Sequence, residues 1–304
     1  MYGAWFIRLF GFQVRVRNRL AAFKRRVQLH FMKKRSGTEA DMQTLRKFTA
    51  LVPTLSQYNP HDALEQLRIQ ALSHGCRSLE AFYDLAATRP ELLQGNLTFV
   101  GSHFFRGSVW PALRKACEAA FSGSGRDRIR IWCAGCASGK EVYSVLMLLL
   151  DLVPAERIEL LATDYNQEML RLCQDGVYSL RTIDEIPREY LRYTEKYRPE
   201  KGGRTEFSQR RQFRFRLQLR GLVQTRHLNL LVDPYPEGMD LILCRNVIKF
   251  FDGATRLQVQ QGLARALNPG GLLVVSDEDL DKEGIRDPQS LGLRQIEGSC
   301  IYRK

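Results

Sequence analysis

The chain has 304 residues, 44% of them hydrophobic and 26% charged, which is ordinary globular material and enough for two domains. No apolar run approaches the roughly 18 residues of a membrane-spanning helix; the longest, Val145–Leu150, has the size of a core segment. The net charge of +13 is local: residues 1–35 hold ten Lys or Arg and no Asp or Glu, leaving 36 basic against 33 acidic residues, so the folded part does not argue for nucleic-acid binding.

In chain order, the basic, aromatic-rich segment from Met1 to Arg35 leaves three readings open. It is a membrane-surface or partner-binding amphipathic helix, a disordered basic extension or overextended translation start, or a targeting peptide. Helical periodicity follows at Ala40–Leu51, Asp62–Ser73 and Ser78–Ala87, punctuated by Asn59-Pro60 and His74-Gly75, with Ser78 placed to cap the third helix. The segment Asn96–Arg106 links this region to a helix at Val109–Ala120 and a loop at Ser122–Gly125. From there strands and helices alternate. Buried strands are expected at Ile129–Cys133, Ile158–Thr163, Met239–Cys244 and Leu272–Val275, and helices at Gly139–Leu150, Asn166–Gln174 and Ala254–Leu267. The last helix stops at Asn268-Pro-Gly-Gly271, and Gln295–Glu297 with Cys300–Arg303 closes the edge as a hairpin. This alternation predicts an α/β domain with a parallel, doubly covered sheet. Phe213, Phe215, Leu217 and Leu219 alternate with Arg214, Arg216, Gln218 and Arg220, a period-2 strand within a small antiparallel insertion after Lys201-Gly-Gly203. The domain plan is a basic extension (1–38), a helical domain (39–95), a linker and connecting helix (96–128), and an α/β domain (129–304) with its β insertion at about 200–222.

The seven cysteines are odd in number and mostly sit inside apolar patterns, as reduced core thiols of a cytosolic protein do. Cys133-x-x-Cys136 has no second pair and no nearby His, so no metal site is assigned.

Four segments carry chemistry. In Ile131–Ser144 a buried strand runs into a loop with Gly135 and Gly139 and then a helix; the strand end at such a switch point is where doubly wound folds bind ligands. There is no GxGxxG, so a dinucleotide is not indicated. Asp164, at the tip of the next strand, suits either a ribose diol or the cap of the following helix. Asp240–Asp252 delivers Cys244-Arg245-Asn246 to the same sheet edge, and in HLNLL, residues 227–231, Asn229 precedes the Asp233-Pro turn.

LTFVGSHFFR, IWCAGCASGKEVYS, LATDYNQEML, HLNLL and LILCRNVIKFFD occur in the order found in the CheR-type chemoreceptor glutamate methyltransferases, which the chain resembles over roughly residues 45–304. The resemblance implies a Rossmann-like S-adenosylmethionine-dependent methyltransferase domain behind a small helical one. It implies methyl-ester formation on glutamates of a chemoreceptor's cytoplasmic domain, by a cytoplasmic protein that residues 1–35 hold peripherally at the membrane on one of their readings. It places Arg106 and Phe250 near the transferring methyl, with Ser102 beside Arg106 in the cofactor pocket. Gly135 and Glu141 would hold the methionine part, Asp164 the ribose, Asn229 and Leu230 the adenine, and Asn246 the pocket wall. Arg214 and Arg216 fall where some members dock a receptor tail.

The chain departs from the family pattern at Val100, for Asn; at Lys140, which makes its Gly-Glu-Glu into Gly-Lys-Glu; at Phe250, for Tyr; and at Ser276, for His. The helix that family members fill with arginines keeps Arg68. The alternatives are a catalytically weakened S-adenosylmethionine-binding regulatory or partner-binding module, and a methyltransferase acting on a small molecule or nucleic acid.

Overall fold

The computed structural model describes residues 39–93, 103–198, 211–276, 284–285, 287–296 and 298–304, in two compact units divided at residue 97. The expectations for residues 1–38, Val100, Ser102 and Lys201-Gly-Gly203 lie outside the described residues.

The first unit is three helices, α1 (Glu39–Leu51), α2 (Pro60–Ser73) and α3 (Leu79–Thr88). Asn59 caps α2 by accepting the His61 N–H, with Pro60 at its first position, and Ser78 caps α3 through the Ala81 N–H at 3.1 Å. Phe48, Leu64, Leu67 and Phe82 are shut in completely, and Phe48 and Phe82 meet at 5.7 Å between ring centres. Arg68 belongs to this interior. Its side chain is 7% exposed and pairs with Asp41 at 2.8 Å, so it joins α2 to α1 and does not present a charge to a partner.

The second unit is built on a seven-stranded sheet. Its strands are β1 (Ile129–Ala134), β2 (Ile158–Asp164), β6 (Val223–His227), β7 (Met239–Leu243), β8 (Leu267–Val274), β9 (Arg294–Gln295) and β10 (Ile301–Arg303), in the order β6-β2-β1-β7-β8-β10-β9. The first five run parallel, and the β9–β10 hairpin closes the far edge antiparallel to β8. Helices α4 (Val109–Phe121), α5 (Lys140–Leu150), α6 (Gln167–Asp175) and α8 (Gly253–Ala266) accompany the sheet; α6 packs on β2 and β6, and α8 on β8. From β1 the chain steps to β2 and β6 on one side, then returns to β7 on the other. The carboxyl ends of β1 and β7 therefore part to leave a crevice at the topological switch point. At the opposite end of β7 the buried Asp240 is satisfied by Arg126, the Arg130 N–H and the Asn268 amide.

Several local expectations need correction. The insertion begins at β3 (Val177–Ser179), directly after α6 and well before residue 200, and forms a sheet in the order β3-β5-β4 with β4 at Thr194–Tyr197. The expected strand through Arg220 ends with β5 (Gln212–Phe215). Leu217–Arg220 is instead one helical turn, α7, with Leu219 turned in and Leu217 71% exposed. Four alternating residues suit a turn with one inward side chain as well as a strand. β8 starts at Leu267, straight out of α8; Asn268–Gly271 is an irregularity inside the strand, opposite Met239 and Leu241, and not a loop before it. β6 was not expected at all.

The Arg68–Asp41 pair yields a test. Asp41→Ala leaves a guanidinium enclosed without its carboxylate and is expected to lower stability by about 3 kcal/mol. Arg68→Met, which removes the charge and keeps the stem, is expected to cost less. Denaturant midpoints of the full chain check this, and two negligible shifts would mean that the pair behaves as a surface one.

Candidate active site

β1 runs into the loop Gly135–Gly139 with its ladder extended one step, since the Cys136 N–H donates to the Thr163 carbonyl at 2.9 Å. Gly135 has φ +69°, and a Cβ there would stand 2.5 Å from Cγ2 of Val247. The loop after β1 and the loop after β7 thus touch where only a glycine leaves room. Gly139, at φ +84°, opens α5 from the left-handed region and lies against Cys173.

Asp164 closes over this loop. One carboxylate oxygen accepts the Ala137 N–H at 2.7 Å and the other the Asn166 N–H at 2.8 Å. Burial pushes its carboxyl above the usual aspartate value, and those two amides pull it part of the way back. The capping alternative falls to its neighbour: Asn166 caps α6 through the amides of Glu168 and Met169. At the tip of β6 the Leu228 N–H donates to the Asp164 carbonyl. The next residue, Asn229, folds its own turn: its side chain accepts the Leu231 N–H at 2.9 Å and its N–H donates to Asp233 at 2.7 Å. The Tyr235 hydroxyl fixes the Leu230 carbonyl at 2.7 Å.

From β7 the chain delivers Arg245, whose side chain is 1% exposed. It donates to Glu141 at 2.6 Å and to the Arg106 carbonyl at 3.0 Å, with its guanidinium 5.8 Å from the Trp110 ring centre. One side chain thereby gathers the segment bearing Arg106, the first turn of α5 and the loop after β7. Asn246, next along, takes φ +58° and is half-buried. Phe250 sits in the turn Ile248–Phe250, with Lys249 over its ring at 5.5 Å. Ser276 is fully buried at the end of β8.

Gly135, Glu141, Asp164, Asn229, Leu230, Asn246 and the backbone of Arg106 therefore stand at the strand ends, loops and first helical turn along one edge of the sheet, and Ser102 lies outside the described residues. Arg214 and Arg216 are in the insertion. Arg214 donates to Glu195 at 2.8 Å and stacks on Tyr197, while Arg216 is exposed. Sequence reading missed the work of Arg245, which it saw only as part of a motif. It also missed Glu185, which receives the Phe104 N–H, and Lys140 at 3.4 Å. The pair Cys133 and Cys136 is buried; burial pushes the Cys133 thiol well up, and a hydrogen bond that its own S–H makes with Cys173, together with burial, does the same for Cys136. Neither is poised as a thiolate. Among the described residues no cluster of His, Cys, Asp and Glu could hold a metal ion, and no helix is long and apolar enough to cross a membrane.

The family model for the CheR methyltransferase SAM binding domain matches residues 101–287. The chain is 34% identical over 203 residues to a chemotaxis protein methyltransferase of Listeria monocytogenes serovar 1/2a, covering 66% of this chain and 71% of that one. The corresponding protein of Listeria innocua serovar 6a is 32% identical over the same shares. A probable chemotaxis protein methyltransferase of Rhizobium etli is 28% identical over 203 residues, covering 64% of this chain and 72% of the other.

Gly135→Ala is expected to weaken S-adenosylhomocysteine binding by at least about tenfold, because the new methyl meets Val247 and the left-handed backbone costs about 1–2 kcal/mol. Adding Val247→Ala should recover part of the loss. Calorimetric titration of both variants checks this; unchanged affinity in Gly135→Ala would remove the loop from the pocket.

Proposed function

The chain belongs to the CheR methyltransferase family, and on that premise we propose that it transfers the methyl group of S-adenosylmethionine to glutamate side chains of a chemoreceptor's cytoplasmic domain, forming methyl esters. The observation that carries this reading is the convergence, through Arg245, of Glu141 and the Arg106 segment on the loop that Asp164 closes.

The donor set fits the cofactor. Gly135 keeps the loop after β1 free of a side chain. Glu141, one carboxylate at the start of α5, suits the ammonium of the methionine part. Asp164, a second carboxylate at the tip of β2, suits the ribose hydroxyls. Asn229 and Leu230 would flank the adenine, Asn246 would line the wall, and Ser102 would stand near Arg106. S-adenosylmethionine supplies, when bound, a methyl group on a positively charged sulfur.

The protein's own task is then placement. A glutamate, with a pKa of about 4.3, is already ionised at neutral pH, so no residue has to remove a proton. Arg106 can hold the carboxylate by two parallel hydrogen bonds, and holding reactants in line is worth several powers of ten. Phe250 stands where the family pattern has a tyrosine; a missing uncharged hydrogen bond costs about 1 kcal/mol, less than tenfold in rate. Lys140 stands where the family pattern has a glutamate. Its ammonium reaches Glu185, which supports the active reading. Exposed Arg216 suits a contact with an acidic receptor tail.

Incubation with methyl-labelled S-adenosylmethionine and receptor-containing membranes, followed by alkali, is expected to release the label as methanol. No base-labile label would overturn the reading. Asp164→Ala is expected to abolish cofactor binding. The wild-type affinity should also fall on acidification at a higher pH than for an ordinary aspartate, because the ionised carboxylate binds and the folded-state value is raised. The sign for stability is opposite: a raised carboxyl favours the fold below its unfolded value and loses that contribution as pH climbs through the folded one.

A further inference from the structure

The segment His103–Arg106 is held by its backbone as much as by its side chains. The Phe105 N–H donates to Ser144 Oγ at 3.0 Å, and the Arg106 carbonyl receives Trp110 Nε1 and Arg245 Nη2, each at 3.0 Å. Phe105 takes φ +46°, which a phenylalanine adopts only when its surroundings impose it. The remaining anchor comes from the insertion. Glu185 ends the turn Leu180–Glu185 that follows β3, and its Oε2 accepts the Phe104 N–H at 3.0 Å. The same carboxylate reaches Lys140 Nζ at 3.4 Å and His103 Nδ1 at 3.5 Å. Lys140, in turn, lies over the Phe104 ring at 5.2 Å, and that ring is buried against Tyr178, Phe213 and Phe215 of the insertion.

We infer that Glu185 is a positioning residue for methyl transfer: its carboxylate orients the backbone that carries Arg106, and Lys140 is the countercharge that keeps it aimed there. The inference rests on the proposed role of Arg106 in holding the accepting carboxylate. The pair is partly exposed, Lys140 at 12% and Glu185 at 28%, so it contributes little to overall stability. Its effect is geometric. A displacement of about 1 Å in a group that orients a substrate costs up to about 10²-fold in rate. The insertion, which also fixes the cofactor loop through the Tyr178 hydroxyl on the Ser138 carbonyl at 2.7 Å, is thereby tied to the reacting end of the site as well as to the cofactor end.

The test uses the full chain. Glu185→Ala removes the acceptor, and is expected to speed amide hydrogen exchange at Phe104 and Phe105 several-fold and to lower kcat by about 10- to 100-fold, with S-adenosylhomocysteine affinity and melting temperature little changed. Glu185→Gln keeps an acceptor oxygen of the same shape and should retain most of both; Lys140→Glu serves if the alanine variant does not fold. Lys140→Glu sets two carboxylates against each other and should lower kcat, and adding Glu185→Gln to it should restore the rate. Unchanged exchange at Phe104 and Phe105 in Glu185→Ala overturns the inference whether or not the wild type transfers methyl groups. So does an active wild type whose kcat is indifferent to both Glu185→Ala and Lys140→Glu. A wild type that transfers nothing refutes the proposed function, and the exchange measurement then decides the positioning claim alone.

Discussion

The site depends on one enclosed charge. Arg245 comes off the end of β7 with almost none of its side chain exposed. A guanidinium there without partners would cost several kcal/mol. Its partners are a carboxylate at the start of α5 and a carbonyl from a segment well over a hundred residues earlier. Folding that buries Arg245 must therefore bring those segments to the same place. A lysine could neutralise Glu141 but could not also present a second, fixed donor to the Arg106 carbonyl in the same plane. Two residues on, Val247 fills the space above Gly135, so the strand that supplies the charge also sets the height of the loop after β1.

The insertion is more than an appendage. Its inner face is an aromatic cluster in which Tyr143 of α5 stacks on Phe215 at 4.2 Å and Phe104 meets Tyr178 edge-on at 5.0 Å. Aromatic packing of this kind gives large buried area with few rotamers to lose. Into that apolar setting come three hydrogen bonds with direct consequences for the site: the Tyr178 hydroxyl to the Ser138 carbonyl, the Phe104 N–H to the Glu185 carboxylate, and the Tyr143 hydroxyl to the Cys173 carbonyl behind Gly139.

How much of this was legible follows from the physics of each element. β1, β2 and β7 are buried runs of apolar residues, and their pattern names them. β6 hides because it is an edge strand: only Val223 of its five residues is buried, and Gln224, Arg226 and His227 look like loop. β3 and β4 are three and four residues long, too short for any period to emerge. Gly135, Asp164 and Asn246 could be placed because strand ends in a parallel sheet share an edge. The partners of Arg245 and Glu185 could not, since Glu141 and Phe104 lie 104 and 81 residues away along the chain and no local pattern encodes such a pairing. The pairing of Lys140 with Glu185, 45 residues on, is hidden for the same reason.

Three loops at the crevice each place a residue other than glycine in left-handed backbone: Phe105, Ala137 and Asn246. Phe105 and Ala137 each strain the folded chain by about 1–2 kcal/mol, while asparagine tolerates that backbone better. Glycine would relieve that strain, but it would also widen the unfolded ensemble, a penalty of about 0.4–1 kcal/mol per position. Much of the cost of a side chain at these points is therefore returned by the narrower unfolded state. In return the loops lose a torsional freedom that glycine would keep. The backbone of these three loops is thus narrowed by the choice of residues in the chain, before any ligand arrives to order it.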